Sequence, residues 1–584
     1  MHKFYAGYIE RSFTMEMSRR SFLKTAGAVS AAATVAGAAV ASADEAAGEK
    51  LLTAADVQGK WAFEVPPAAI TDDQIVDTVE ADLIVVGAGT SGLVCANAAL
   101  DEGLNVCLIS ASSIPCSRGG SNNAAYSKVM ERLGIPRQPV YAIQKEILAN
   151  QNCVDQRKWY KYYNQSEEAF NYVIDLAEEA GLYVGLEQSN QIKESSLYYQ
   201  PLGTHTFLDS IESTRAGMSQ QLLVEALAKR LVDEGGRLDY RMRGYELVRG
   251  GVVNGTEGRV DAIIAQNLDD ETYVKYVGTK AIVLATGDFS TDRDMMTKYC
   301  ADYVGMVPDE SYDAEVDYDD ISLTTGGVYK GDGQKMGLWI GAAWQKNLTA
   351  TPMYGPRTAG PAVHRCQNFF GLLVDRNGRR FMDEYEGRSL GPINQSLQAG
   401  AVSYAIWDAE LVNRFVWYDQ SYVHEMRDET IRDPEAIKAG WDAMAERGAY
   451  WKADTIEELV ELAGLPASTV DEVARYNKFC EEGFDGDFYK DPEFLMPVTT
   501  PPFYCQRSSY KGGQLHTVLG GLRTNSEMQV CDADDNPIPG LYNVGAMVGD
   551  MYAGMYTFMI AGLNYGCTCI TFGYLTGKYV AANE

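Results

Sequence analysis

Three glycines, Gly87, Gly89 and Gly92, stand in the spacing G-x-G-x-x-G inside "ADLIVVGAGTSGLVCANAALDEGLNVCLIS", residues 81–110. Leu83–Val86 reads as a buried strand, the Ala-rich stretch after the glycines as a helix, and Val106–Ile109 as a second strand. In such a βαβ unit the first glycine makes the tight turn and the second lets backbone N–H groups approach a pyrophosphate. The third lets the helix pack on the strand, with its positive N-terminal end toward the phosphates. Within a complete unit the motif specifies a dinucleotide site. The acidic residue that ordinarily holds the ribose at the end of the second strand is replaced by Ser110, whose hydroxyl hydrogen-bonds a ribose more weakly. A second candidate is Arg388, in "RRFMDEYEGRSL" (379–390). Charge runs are ordinarily solvated surface, yet this arginine stands one glycine beyond the run, where it could meet a substrate.

Other chemistries are disfavoured. The five histidines (His2, His205, His364, His424, His516) lie far apart, and no C-x-x-C pair or C-x-x-C-H motif is present. No metal site, iron–sulfur cluster or c-type haem is therefore expected. Eleven cysteines, odd in number and irregularly spaced, do not form a disulfide framework. They read as small buried residues of a reducing or anaerobic niche. A net charge of −30 argues against a nucleic-acid partner.

The elements that must position these residues follow from length and punctuation. At 584 residues, 46% hydrophobic and 22% charged, the chain suits two to four folded domains. "SRRSFLKTAGAVSAAATVAGAAVASADE" has twin arginines (Arg19, Arg20), an uncharged Ala/Gly/Val run and a small-residue cleavage pattern at Ala41–Ala43. Residues 1–43 thus read as a twin-arginine signal, which implies export to the periplasm or the outer face of the cytoplasmic membrane. Residues 44–74 read as a linker. Residues 139–235 read mostly as helix and about 238–285 as strands ending in "AIVLATGDFS", with Thr286 and Gly287 after the last strand. "YKGDGQKMGLWIGAAW" reads as a Gly-Asp-Gly turn, containing Asp332, that opens a helix. Amphipathic helices follow in "TIEELVELAG" and "ASTVDEVARYNKFCEEG", and a glycine-punctuated helix closes the chain.

The glycine motif, "LATG", "GDG", "DRNGRRFMDE", "TIEELVELAGLP…VARYN", "PPFY", "IPGLY" and "TFGYLTG" occur in this order. Over about residues 80–584 the chain resembles the soluble flavoprotein fumarate reductases, urocanate reductase and 3-oxosteroid dehydrogenases. The resemblance implies an α/β fold: a Rossmann-like FAD-binding domain built from both ends of the chain (75–345 and 501–584), with an inserted α+β clamp domain (346–500). It implies an FAD-dependent oxidoreductase reducing an activated C=C bond of an organic electron acceptor. Electrons would come from a separate membrane-associated cytochrome or flavin protein, serving anaerobic respiration. The resemblance places the cofactor against Gly87, Gly89, Thr90, Ser91, Gly92, Ser110, Ala111, Thr286, Gly287, Asp332, Gly545, Gly562 and Asn564. It places "SRGGS", Ser117, Arg118, Gly119, Gly120 and Ser121, beside the isoalloxazine. No histidine stands in that loop, so non-covalent FAD is expected.

Arg388 falls on the family's proton donor. An arginine can protonate a carbanion or enolate while stabilising its oxyanion. The two upstream relay positions hold His364 and Gln367, and only the histidine can ionise. The family's substrate-binding arginine near the C-terminus matches Ile560, and His516 is what remains near its histidine pair. Tyr552 and Tyr556 are candidate donors to a substrate carbonyl or phenol. A pocket that has lost its cations suits an aromatic or weakly charged substrate, while the same tyrosines and methionines also suit ordinary core. A steroid-type dehydrogenase, a fumarate reductase proper and a flavin electron carrier remain the alternatives.

Overall fold

The computed structural model describes residues 61–188, 199–322, 328–347, 349–355, 370–385, 394–509 and 514–584. Residues up to Val65 form a separate unit, described as the 3-10 turn Ala62–Glu64, and all other elements belong to the unit Pro66–Glu584.

That unit starts with β1 (Ile75–Val86), α1 (Thr90–Asp101) and β2 (Val106–Ile109). β1 pairs in parallel with β2 on one side and with β3 (Tyr273–Leu284) on the other. β4 (Pro537–Asn543), from near the C-terminus, pairs in parallel with the end of β3. Two distant parts of the chain thus build one nine-stranded sheet. Its pleat sorts the apolar runs: Leu83, Val85, Val106, Leu108, Ala281 and Val283 enter one core cluster, and Ile84, Val86, Cys107, Ile109, Ile282 and Leu284 another. Such runs, buried on both faces, are what a parallel sheet requires.

The helical expectation for 139–235 holds for Tyr141–Ala149, Gln156–Glu179 and Gln220–Asp233. Between them, however, Tyr183–Leu186 and Thr204–Leu208 pair antiparallel and, with Asn122–Asn123, form a three-stranded sheet. The C-terminal helix Phe572–Asn583 is preceded by a π-helical turn, Tyr565–Thr571.

A second module carries a four-stranded antiparallel sheet of Leu372–Val374, Val402–Asp408, Phe503–Ser509 and Trp451–Ala453. Leu373, Ala405, Trp407 and Tyr504 pack on one face with Trp441, while Leu372, Val374, Ile406 and Phe503 pack on the other with Val473 and Tyr476. Its loop 419–425 meets the three-stranded sheet and the turn that follows it: the Glu425 carboxylate accepts from Tyr183 OH at 3.0 Å and Leu186 N at 3.3 Å, and Ser421 O accepts from Ala216 N at 2.9 Å.

Part of the charge run in "RRFMDEYEGRSL" is interior. Arg380 bonds Glu384 through Nε and Nη2, both at 2.9 Å, and Asp485 at 3.0 and 2.9 Å. Lys490 Nζ donates to Glu384 at 3.1 Å, and all four side chains are at most 1% exposed. Removing one partner of such a cluster leaves buried charge uncompensated. Arg380→Met should therefore cost about 3–5 kcal/mol, read as a lowered urea midpoint in the fluorescence of Trp407, Trp417 and Trp441. An unchanged midpoint would show the cluster to be energetically neutral.

Candidate active site

β1 is followed by Gly87 with φ +120°, where a Cβ would lie 2.4 Å from Ala285 O; a Cβ on Gly92 would lie 2.0 Å from Gly87 O. Neither distance tolerates a side chain, so the turn and the first winding of α1 close only as glycine. α1 begins at its N-cap, Gly89, and leaves its first N–H groups without helical partners. They open on a cavity of about 790 Å³, lined here by Gly87, Gly89, Thr90 and Ser91. Gly92 lies behind this wall, packed on Gly87. Gly545 also supports rather than lines, since a Cβ there would be 2.6 Å from Ser91 Oγ.

At the end of β2, Ser110 and Ala111 line the same cavity. Ser110 Oγ is 2.7 Å from Ser112 Oγ and 3.4 Å from Ala88 N. The nearby acid Asp239 is occupied by Arg237 and Tyr276. Thr286, Gly287 and Asp332 line another wall, with Thr286 Oγ1 accepting from Gly333 N at 3.1 Å. Asp332 is held in two bonds by Arg243, at 2.8 and 2.7 Å, which sequence reasoning did not find because the partners stand 89 residues apart. Burial pushes the Asp332 carboxyl up, but Arg243 outweighs it and the net shift is downward.

The Ser117–Ser121 loop is fixed from several sides. Thr90 Oγ1, Ser117 Oγ and Tyr565 OH form a chain with spacings of 2.9 and 3.0 Å, and Gln220 donates to Thr90 Oγ1 at 3.2 Å. Gly119 O accepts from Gln220 N and Gly120 O from Asn122 Nδ2. All five loop residues line the cavity, together with Gly562 and Asn564 from the segment before the π-helical turn.

Arg388, His364 and Gln367 lie outside the described residues. His516 lines the cavity on strand Gln514–Leu519. That strand is fixed by buried Asp288, which accepts from Thr517 Oγ1 at 2.6 Å and Val518 N at 3.0 Å. Tyr556 lines the cavity beside Phe558, ring to ring at 4.6 Å and 86°. Phe558 has φ +53°, an outlier for a bulky residue and the kind of strain found at ligand sites. Tyr552 is placed differently from the expectation: it is buried against Trp159 at 5.7 Å, in the core behind Tyr556 and off the cavity wall.

Ile560 is buried, and its N–H donates to Glu146 Oε1 at 3.1 Å, which also accepts from Thr557 Oγ1 at 2.6 Å. Burial without a cation pushes Glu146 up to about 7 despite these two bonds. The sequence carried a signal for it: Glu146 shares the buried stripe Ala142, Ile143, Ile147 of its helix.

A glycine cradle that any Cβ would fill, a helix N-terminus at its lip and a sheet joined from both chain ends define a dinucleotide-binding flavoprotein fold. The residues fit FAD, since one cavity is lined by the phosphate turn, the Ser110 region and the Ser117–Ser121 loop. Residues 82–558 match the family described as FAD binding domain; the chain belongs to it and is an FAD-dependent oxidoreductase. Residues 16–36 match the signal sequence of the twin-arginine translocation pathway, so the chain is exported by that route. No helix among the described residues is long and apolar enough to cross a membrane. The vinyl phenol reductase of Lactiplantibacillus plantarum is 24% identical over 531 residues, covering 85% of this chain and 94% of that protein. The fumarate reductase (cytochrome) of Shewanella frigidimarina is 23% identical over 513 residues, covering 86% and 77%. The solved 3-ketosteroid-Δ4-(5α)-dehydrogenase of Rhodococcus jostii RHA1 shares the fold, with a TM-score of 0.65 at 22% identity over 88% of this chain and 99% of that one.

Two outcomes follow from this geometry. Gly92→Val should purify with little or no flavin, whereas Gly440→Ala, where a Cβ meets open space, should keep its flavin absorbance. Burial raises the folded pKa of Glu146 above its ordinary 4.5, so its contribution to stability is fully present below that value and is lost as pH rises through about 7. Glu146→Gln keeps an acceptor oxygen and removes the titration. Relative to this variant the wild type should lose up to roughly 3 kcal/mol between pH 4.5 and 8, read from urea midpoints at the two pH values. Parallel pH profiles would contradict the assignment.

Proposed function

We propose that the protein is an exported reductase of an activated carbon–carbon double bond on an aromatic or weakly charged substrate, acting in anaerobic respiration. The observation that carries this reading is the cavity lining: Tyr556, Phe558, Met353 and His516 line it, while apolar Ile560 stands buried where the resemblance calls for a substrate-binding arginine. The vinyl phenol reductase, matched over nearly its whole length, supports an aromatic substrate.

In this reading Gly87, Gly89, Thr90 and Ser91 hold the pyrophosphate and Ser110 and Ser112 face the ribose. The Ser117–Ser121 loop, which has no histidine, holds the ring without a covalent link. Bound FAD, once reduced, supplies the hydride. Arg388 donates the proton to the α-carbon and steadies the developing oxyanion, and His364 returns a proton to it. The module carrying the four-stranded sheet acts as the clamp that excludes water, seated through loop 419–425. Electrons reach the flavin from a separate membrane-associated cytochrome or flavin protein.

The test is anaerobic turnover of cinnamates, vinyl phenols, enones and fumarate with a reduced dye as donor. Arg388→Ala and Arg388→Lys should keep the flavin spectrum and lose about 10²–10⁴-fold in rate. Wild-type rates in either variant would end the proton-donor role, and no turnover of any compound would favour a flavin electron carrier.

A further inference from the structure

An aromatic enoate or vinyl phenol carries an oxygen function, yet the segment 550–562 brings no cation to the cavity. Resting on the reductase reading above, we propose that Arg118, on the Ser117–Ser121 loop, is the residue that binds this oxygen in place of a cation from the C-terminal segment. Arg118 lines the cavity together with His516, Tyr329 and Tyr565. Its Nη2 donates to His516 O at 3.0 Å, which ties the guanidinium to the strand carrying a candidate substrate-facing histidine. Its Nη1 is shielded from solvent and has no acceptor among the described residues. No carboxylate among them pairs with it, and Asp288, the buried acid on this side, spends its oxygens on Ser290, Thr517 and Val518.

The backbone of Arg118 is equally fixed: its carbonyl accepts from Tyr565 OH, and the next residue's carbonyl from Gln220 N. One arm of the fork is therefore anchored by protein, while the other lacks an acceptor among the described residues and suits a single carbonyl or anionic oxygen. Beside Tyr556, Phe558 and Met353 this arm suits the single oxygen of a monoanion or a phenol; Arg215 also lines the cavity, and Arg243 there is held by Asp332. The alternative acceptor of the same chemistry is a carbonyl of the flavin itself, and the experiment separates the two.

Oxidised wild-type, Arg118→Gln and Arg118→Lys holoproteins are titrated with 3-phenylpropanoate and followed by the flavin difference spectrum. The KM and kcat for cinnamate, the flavin content and the flavin midpoint potential are measured on the same preparations. Loss of one charge-assisted hydrogen bond corresponds to about 10–100-fold. Arg118→Gln should weaken 3-phenylpropanoate binding and raise the cinnamate KM by that factor, with flavin content and potential unchanged and kcat altered less. Arg118→Lys should recover part of the loss. Unchanged binding in both variants overturns the proposal. So does lost flavin or a shifted potential with unchanged 3-phenylpropanoate binding, which would assign the arm to the flavin. A wild type that binds 3-phenylpropanoate with Arg118 dependence but reduces no compound upholds the oxygen site and removes only the reductase reading. One that neither binds nor reduces the aromatics overturns both.

Discussion

The contact between Gly92 and the Gly87 carbonyl sets the distance between α1 and the sheet, because any Cβ at Gly92 would fall 2.0 Å from that oxygen. At this separation the first turn of α1 lies across the ends of β1 and β3, and the unpartnered N–H groups at its start open on the cavity. The other walls are built by reference to this corner. The Ser117–Ser121 loop is tied to Thr90 through Ser117 and Gln220, and Gly545 packs on Ser91. The C-terminal segment that returns to complete the sheet is thus fixed against the helix that begins it.

Charge placement separates scaffold from site. Arg243 with Asp332, and Arg380 with Glu384, Asp485 and Lys490, are fully paired, and a paired buried cluster specifies position without offering chemistry. Glu146 and Arg118 are not balanced in this way. Glu146 is buried without a cation, and Arg118 keeps one arm without an acceptor among the described residues. Unbalanced groups are costly in a folded core, so Arg118 on the cavity lining and Glu146 behind the Tyr556–Ile560 turn mark where a ligand contact is to be sought.

Much of this was legible in the sequence, for physical reasons that differ by element. The βαβ unit was plain because its glycines and its two-sided apolar strands are dictated locally, and the amphipathic helices Ile456–Leu462 and Thr469–Glu482 for the same reason. The strands Tyr183–Leu186 and Thr204–Leu208 were hidden, since each is short and its partner is supplied by tertiary pairing rather than by a hairpin turn. Arg243 and Glu425 could not be assigned because their partners are remote in sequence. Tyr552 and Tyr556 show the limit of residue type alone: four positions apart, one lines the cavity and the other fills the core behind it.

The segment 556–560 joins these observations. Its Thr557 hydroxyl and Ile560 N–H both bind Glu146, and between them Phe558 is forced to φ +53° beside the Tyr556 ring. An arginine at 560 would place a cation near Glu146 and draw the pair together as an ion pair. With isoleucine there, the carboxyl serves only as an acceptor that holds the turn, and the turn presents two rings. The turn is thereby apolar where it lines the cavity, and the Arg118 guanidinium comes from the Ser117–Ser121 loop, which packs on the same segment at Gly562. On the reading proposed above, two aromatic rings and the Arg118 guanidinium in one cavity suit a ligand with a flat apolar body and an oxygen terminus.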